Sequence, residues 1–207
     1  MSRDTSLVDA AVEAIQARRP VVLPTDTVYG LCATAYEEDA VLRMYELKGR
    51  KAQQPTALLA ADVETLFECV PELRSRFDSI VRALLPGRLT LVFPNPAHRF
   101  SWLSGTTPDT IGVRVPELEG DAKAIVQRVG ALAATSANLA RGADPKRLDE
   151  VPEEIRSGAA VLVDGGELPG TPSTVVDLTG FEPKILREGA VPAADVLERL
   201  GLAATEN

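Results

Sequence analysis

A single histidine, His98, excludes a zinc cage built on imidazoles. It sits between Pro96 and Arg99, where it reads as a solvated loop residue rather than a catalytic base. Two cysteines, Cys32 and Cys69, are too few for a disulfide framework; each lies in an apolar stretch and reads as a buried free thiol suited to a reducing, cytoplasmic setting. Basic charge is also in deficit: 22 Lys and Arg against 30 Asp and Glu leave a net charge of −8. That weighs against a general binder of nucleic-acid backbones, though it leaves room for one local basic patch. No apolar run approaches the ~20 residues that span a bilayer. Met1-Ser2-Arg3-Asp4-Thr5 lacks the apolar core of a signal peptide, so no membrane association is expected. Neither GxxxxGKS/T nor GxGxxG occurs, so any nucleotide site is neither a Walker A loop nor a Rossmann fingerprint.

What is present is ordinary for a globular protein: 45% hydrophobic and 25% charged residues in a chain of 207, enough to bury a core. No repeat, low-complexity linker or composition shift divides the chain. One domain over residues 1–207 is expected, with its core at about 8–190. Hydrophobic periodicity predicts helices over 7–18, 39–48 (Val41, Leu42, Tyr45 and Leu47 inward), 72–85, 122–129 and 193–200, with a weak one near 148–156. Short apolar or alternating runs predict strands over 21–23, 56–60, 89–93, 110–115, 132–135, 160–163, 174–177 and 184–186. Residues 94–108, rich in Pro, Ser, Thr and Gly, read as a long loop over one face. Seven or eight strands among about six helices predict an α/β sandwich, and the short connections near the C-terminus predict a mixed sheet.

Polar clusters stand at the ends of the apolar runs, where an α/β sheet presents its loops to ligands. Lys48-x-Arg50 pairs a point charge with a planar fork, which suits a polyphosphate; taken alone, it reads first as a solvated basic helix end. Ser136-x-Asn138 offers a hydroxyl and an amide after a buried strand, or simply a cap. Arg114 lies inside an apolar strand and needs an anionic partner, either an acid of the protein or a ligand. Asp26 follows a strand-ending proline and could cap a turn.

Taken together, seven segments resemble the YrdC/Sua5 family in the family's order: Pro24 to Leu31, Lys48-Gly49-Arg50, Pro86 to Val92, Val113 to Pro116, Thr135 to Leu139, Ser173 to Asp177, and Ile185 to Gly189. The resemblance implies a twisted mixed sheet flanked by helices, with a large concave cavity. It also implies L-threonylcarbamoyladenylate synthase activity, in which L-threonine, bicarbonate and ATP give threonylcarbamoyl-AMP and pyrophosphate. The product would serve a downstream threonylcarbamoyl transferase complex that modifies adenosine 37 of tRNA. Carried over by position, Lys48 and Arg50 would be catalytic and would meet the ATP phosphates, with Gln54, Thr110, Ser136, Asn138 and Arg187 also on the nucleotide. Thr27, Arg114 and Ser173 would hold threonine, Arg114 on its carboxylate. Mg²⁺ would come with the phosphates, since no dedicated carboxylate cage for a metal is visible.

The chain departs from the family pattern in places. Gln54 stands before Pro55 where many members carry Asn, and no His follows near Leu59. Asp144-Pro145 follows SxN where many carry Ser, and Pro172 precedes Ser173 where many carry Glu. Two rival readings are a double-stranded RNA- or tRNA-binding module, using Lys48, Arg50, Lys51, Arg88 and Arg114 as a basic patch, and a paralogue without synthase activity.

Overall fold

The protein is described by a computed structural model over residues 6–49, 54–140 and 142–202. Apolar residues three and four apart make Leu7–Gln16 a helix (α1) that buries Ala11, Val12, Ala14 and Ile15. Ser6 caps it by accepting from the Asp9 backbone N–H at 3.1 Å. Val21–Pro24 (β1) then turns back into Tyr29–Thr34 (β2). Glu38–Lys48 (α2) stops at Gly49, whose φ of 64° is the left-handed conformation that glycine tolerates. Ala57–Ala60 (β3) leads to three short helices, Val63–Cys69 (α3), Pro71–Arg76 (α4) and Asp78–Leu84 (α5). Leu89–Pro94 (β4) and Thr110–Arg114 (β5) follow, joined by a loop with one 3-10 turn at Ser101–Leu103. Gly120–Val129 (α6), Ala131–Ser136 (β6), Glu153–Gly158 (α7), Thr174–Asp177 (β7), Lys184–Arg187 (β8) and Ala193–Arg199 (α8) complete the order.

The eight strands form one mixed sheet in the order β1-β2-β6-β3-β5-β4-β7-β8. β3 runs parallel to β5 and β4 parallel to β7; the other neighbours are antiparallel. One sheet face, with Leu31, Leu58, Leu91, Val113 and Val176, is buried under α2, the α3–α5 helices and α8. The opposite face is divided. Over β1, β2, β6 and β3 it carries Val21, Leu23, Cys32, Leu59 and Leu132, packed under α1 and α6. Beyond β3 those helices no longer reach. There the same face carries Gly112, Arg114, Thr90, Val92, Val175 and Asp177, which floor a cleft. The alternation of β4, β5 and β7 between buried and half-buried positions is the signature of a sheet with one face covered and one open.

Several expectations need correction. The apolar run 160–163 is not a strand: it contributes a single parallel bridge, Val22 to Leu162. Tyr29–Thr34, not anticipated, is an interior strand, between β1 and β6. The helix expected over 72–85 is two helices, broken at Phe77 (φ −125°, ψ 12°), whose ring turns in to meet Phe93 at 4.8 Å. Helix α3 was unforeseen. The segment near 148–156 is a 3-10 turn at Leu148–Glu150 followed by α7. On α2 the buried row is Val41, Met44, Tyr45 and Lys48, while Leu42 is exposed. Cys32 is buried, and burial pushes its thiol up to about 12; Cys69 is only half-buried, against Tyr36. No helix among the described residues is long and apolar enough to cross a membrane.

Candidate functional site

Small side chains leave room over the open part of the sheet. Ala57, Ala134, Gly112 and Thr90 give a floor that a ligand can approach closely, and the cleft above it encloses about 500 Å³. Its walls come from separate segments: Thr27 and Val28 from the turn after β1, Pro55 and Thr56 before β3, Ser104 and Thr107 from the 94–108 loop, Ser136 at the end of β6 and Asp144 after it, and Pro172 and Ser173 before β7. Leu186 and Arg187 from β8 close one side.

Arg114 rises from the floor at the boundary with the α1–α6 layer. Its Nη2 donates to Asp26 Oδ1 at 2.8 Å and to Thr27 Oγ1 at 3.3 Å. The pair is buried, with side-chain exposures of 12% for Arg114 and 3% for Asp26. Both readings of Arg114 therefore meet here: it has an acid of the protein as partner, and it lines the cleft. Its Nε is buried without a partner among the described residues, an orphaned donor of the kind that a ligand can satisfy. Burial is the larger influence on both partners. It pushes the Asp26 carboxyl above its ordinary range against the pull of Arg114, and it draws Arg114 down. A guanidinium starts so far above neutrality that Arg114 stays cationic. The Arg187 charge also bears on Arg114, so two guanidinium groups share the cleft. Arg187 is steered by the Ser173 carbonyl, to which its Nη2 donates at 2.8 Å, and by Ser173 Oγ at 3.2 Å. Ser173 Oγ also pairs with Thr90 Oγ1 at 2.8 Å.

Lys48 is not a solvated helix end. It falls on the inward row of α2, is 5% exposed, and its Nζ donates to the Ser136 carbonyl and to Asn138 Oδ1, the latter at 2.5 Å. Ser136 Oγ donates to the same Asn138 oxygen at 2.8 Å. The Asn138 amide nitrogen donates to the Gly142 carbonyl at 2.6 Å and to Asp144 Oδ1 at 3.1 Å. The KxR lysine and the SxN motif are thus one buried unit behind the cleft wall, with Ser136 and Asp144 as its cleft-facing members.

Of the residues anticipated from sequence, Thr27, Thr110, Arg114, Ser136, Ser173 and Arg187 line the cleft. Lys48 and Asn138 stand directly behind Ser136. Gln54 is exposed beside the lining residue Pro55, and Arg50 lies outside the described residues. The described members of the five-residue basic patch, Lys48, Arg88 and Arg114, do not share one surface. Lys48 and Arg114 are turned inward, Arg50 and Lys51 lie outside the described residues, and Arg88 faces a second recess with Asp26, Glu117 and Asp121. Among the described residues no group of three or more His, Cys, Asp or Glu side chains is placed to hold a metal.

A family model for Sua5, YciO and YrdC, described as "Telomere recombination", matches residues 13–189. The chain belongs to the Sua5/YciO/YrdC family. It is 35% identical over 188 residues to the threonylcarbamoyl-AMP synthase of Pyrococcus abyssi, covering 90% of this chain and 55% of that protein. It is 34% identical over 188 residues to the threonylcarbamoyl-AMP synthase of Shigella flexneri, covering 88% of this chain and 95% of that one. The crystal structure of P. abyssi Sua5 complexed with L-threonine superposes with a TM-score of 0.85 at 34% identity, over 95% of this chain and 58% of that chain. The chain thus spans a little over half the length of its P. abyssi relative.

In this Sua5/YciO/YrdC chain, cleft residues given no role from the sequence include Thr56, Ser104 and Thr107, and also Thr90 and Asp177, which lie within the motif segments. The alternation of β4 and β7 could have found Thr90 and Asp177; the rest are hydroxyls in loops and carry no periodic signal. Gly189 sets the position of Ser173 by close approach. A Cβ there would lie 2.2 Å from the Pro172 carbonyl oxygen and 2.8 Å from Ser173 backbone atoms. Gly189→Ala is therefore expected to cost ~1–3 kcal/mol through overpacking. It should also lower activity by moving Ser173 and, with it, Arg187. Melting temperature and turnover measured on one preparation check this; an unchanged melting temperature refutes the tight approach.

Proposed function

We propose that the chain is an L-threonylcarbamoyladenylate synthase: it joins L-threonine, bicarbonate and ATP into threonylcarbamoyl-AMP and releases pyrophosphate. The observation that carries the reading is the convergence of Thr27, Thr110, Arg114, Ser136, Ser173 and Arg187 in one cleft over an open sheet face. Cations and hydroxyls in that arrangement suit carboxylate and phosphate oxygens. The names of the P. abyssi and S. flexneri relatives, and the threonine in the P. abyssi Sua5 complex, support the same reading.

In the proposed sequence the neutral threonine amine adds to bicarbonate, giving a carbamate and losing water. A carbamate oxygen then attacks the α-phosphorus of ATP, and the bond to the bridging oxygen of pyrophosphate breaks. No side-chain nucleophile is needed; positioning and charge stabilisation carry such phosphoryl chemistry. Arg114 holds the threonine carboxylate through its free Nε–H, beside Thr27 and Ser173. Arg187, Thr110, Gln54 and Ser136 meet the nucleotide, with Arg50 on the phosphates. Lys48 supplies positive charge directly behind Ser136, and Asn138 holds that wall in place. Mg²⁺, bound with the phosphates, would neutralise their charge. The product is a reactive mixed anhydride, to be consumed by a threonylcarbamoyl transferase complex acting on tRNA.

Pyrophosphate release is expected only when ATP, bicarbonate and L-threonine are all present, with threonylcarbamoyl-AMP detected by mass spectrometry. Omitting each substrate in turn is the test. Turnover that is unchanged without threonine would sink the synthase reading.

A further inference from the structure

The cleft wall that would face the nucleotide's phosphates carries a carboxylate. Asp144 Oδ1 accepts from the Asn138 amide at 3.1 Å, and its second oxygen makes no hydrogen bond or ion pair among the described residues. The group is held in place: the Asn138 amide is fixed by Lys48 Nζ and Ser136 Oγ on its oxygen and by the Gly142 carbonyl on its nitrogen. A fixed anion beside a polyphosphate is repulsive unless a cation lies between them.

Among the described residues, the protein's own cations do not fill that place. The Arg114 charge is matched by Asp26 at 2.8 Å, and the Lys48 ammonium is engaged by Ser136 and Asn138. Of the other described charged residues lining the cleft, Arg187 is set against Asp144 and Asp177. The donor set fits a hard divalent ion: a carboxylate oxygen and the Ser136 hydroxyl stand on one wall. Mg²⁺ binds in this way, through one or two carboxylates together with substrate phosphates. One carboxylate and one hydroxyl leave most of the ion's coordination to phosphate oxygens and water, so the ion would bind with the nucleotide and not before it.

We propose that Asp144 is the chain's own ligand, directly or through water, for the divalent cation that accompanies the nucleotide. The inference rests on the nucleotide reading above and adds a residue to it. The test uses the full chain, a non-hydrolysable ATP analogue and Mn²⁺ as the probe, followed by electron paramagnetic resonance and titration calorimetry. The wild-type complex should hold Mn²⁺ when the analogue is present and not without it. D144N should weaken Mn²⁺ in the ternary complex by about tenfold or more, while binding of the metal-free analogue in EDTA stays the same or tightens. Equal Mn²⁺ affinity in wild type and D144N overturns the proposal. So does an equal loss of analogue binding with and without metal, which would make Asp144 a prop for Asn138. A wild-type chain that takes up no nucleotide under any condition overturns the proposed function, and this inference with it.

Discussion

Arg114→Met should cost about 3–5 kcal/mol of folding stability, because removing one partner of a buried ion pair leaves the other charge uncompensated. Asp26 is that other charge: its side chain is 3% exposed and would keep the Glu117 backbone N–H, at 3.3 Å, and the weaker pull of Arg88. Urea denaturation measures the loss. A second variant, Asp26→Asn with Arg114→Met, removes both charges and should regain most of the stability. It should not regain threonine binding, because the guanidinium is the group proposed to clasp the carboxylate. Arg114→Lys divides the two roles differently. It keeps a charge for Asp26 but cannot offer a planar fork, so threonine binding should fall more than ATP binding. Titration with each ligand separately decides the matter. Equal losses for both ligands, or threonine binding restored in the double variant, would leave Arg114 as scaffold alone.

Lys48→Met should be the other severe variant. The side chain is 5% exposed, and its removal leaves the Ser136 carbonyl and Asn138 Oδ1 each short of a donor. Asn138 Oδ1 keeps the Ser136 Oγ–H, so the loss falls mainly on the Ser136 carbonyl, and a buried acceptor that loses its donor costs ~1–3 kcal/mol. Catalytic efficiency should drop further than stability explains, by ~10²–10³-fold, by analogy with the loss of one donor to a developing oxyanion. The comparison is made at a temperature where the variant remains folded. Activity that falls only in proportion to the folded fraction would make Lys48 a structural lysine.

Those two residues also mark where reading the sequence succeeded and where it stopped. Periodicity was enough for α1, β4, β5 and β7, because each has one buried and one open side, while β8, at the sheet edge with only Ile185 half-buried, was legible only as a short apolar run. It failed on β2, which is buried on both faces and so shows no alternation. It over-read 160–163, an apolar run that packs beside β1 without joining a ladder. For Lys48, the spacing Val41, Met44, Tyr45, Lys48 already held the answer, since residues three, four and seven apart share a helix face. The charge invited an outward reading that the spacing contradicts. Arg114 was recognisable as needing an anion, but the identity of Asp26 was not, because the two stand 88 positions apart and only the closed sheet brings them together. The phosphate-side motifs were readable as a set of types. Their mutual burial, with Asn138 fully engaged by Lys48, Ser136, Gly142 and Asp144, was not.

The divided sheet face has a thermodynamic consequence. The cleft floor draws on β3, β4, β5, β6 and β7, and its walls reach from Thr27 to Arg187. The ladder that sets Thr27 near Ser136 pairs Gly30 with Ser136 itself, across about half of the chain. Any cut of the backbone between Thr27 and Arg187 therefore parts some wall from the rest, and no fragment keeps the site. A ligand that fits the cleft recognises only the completed sheet. Its binding free energy then appears in the global unfolding equilibrium rather than in any local one, about 2.7 kcal/mol for a ligand at a hundred times its dissociation constant. Occupancy of the cleft and persistence of the fold are, in this chain, a single linked equilibrium.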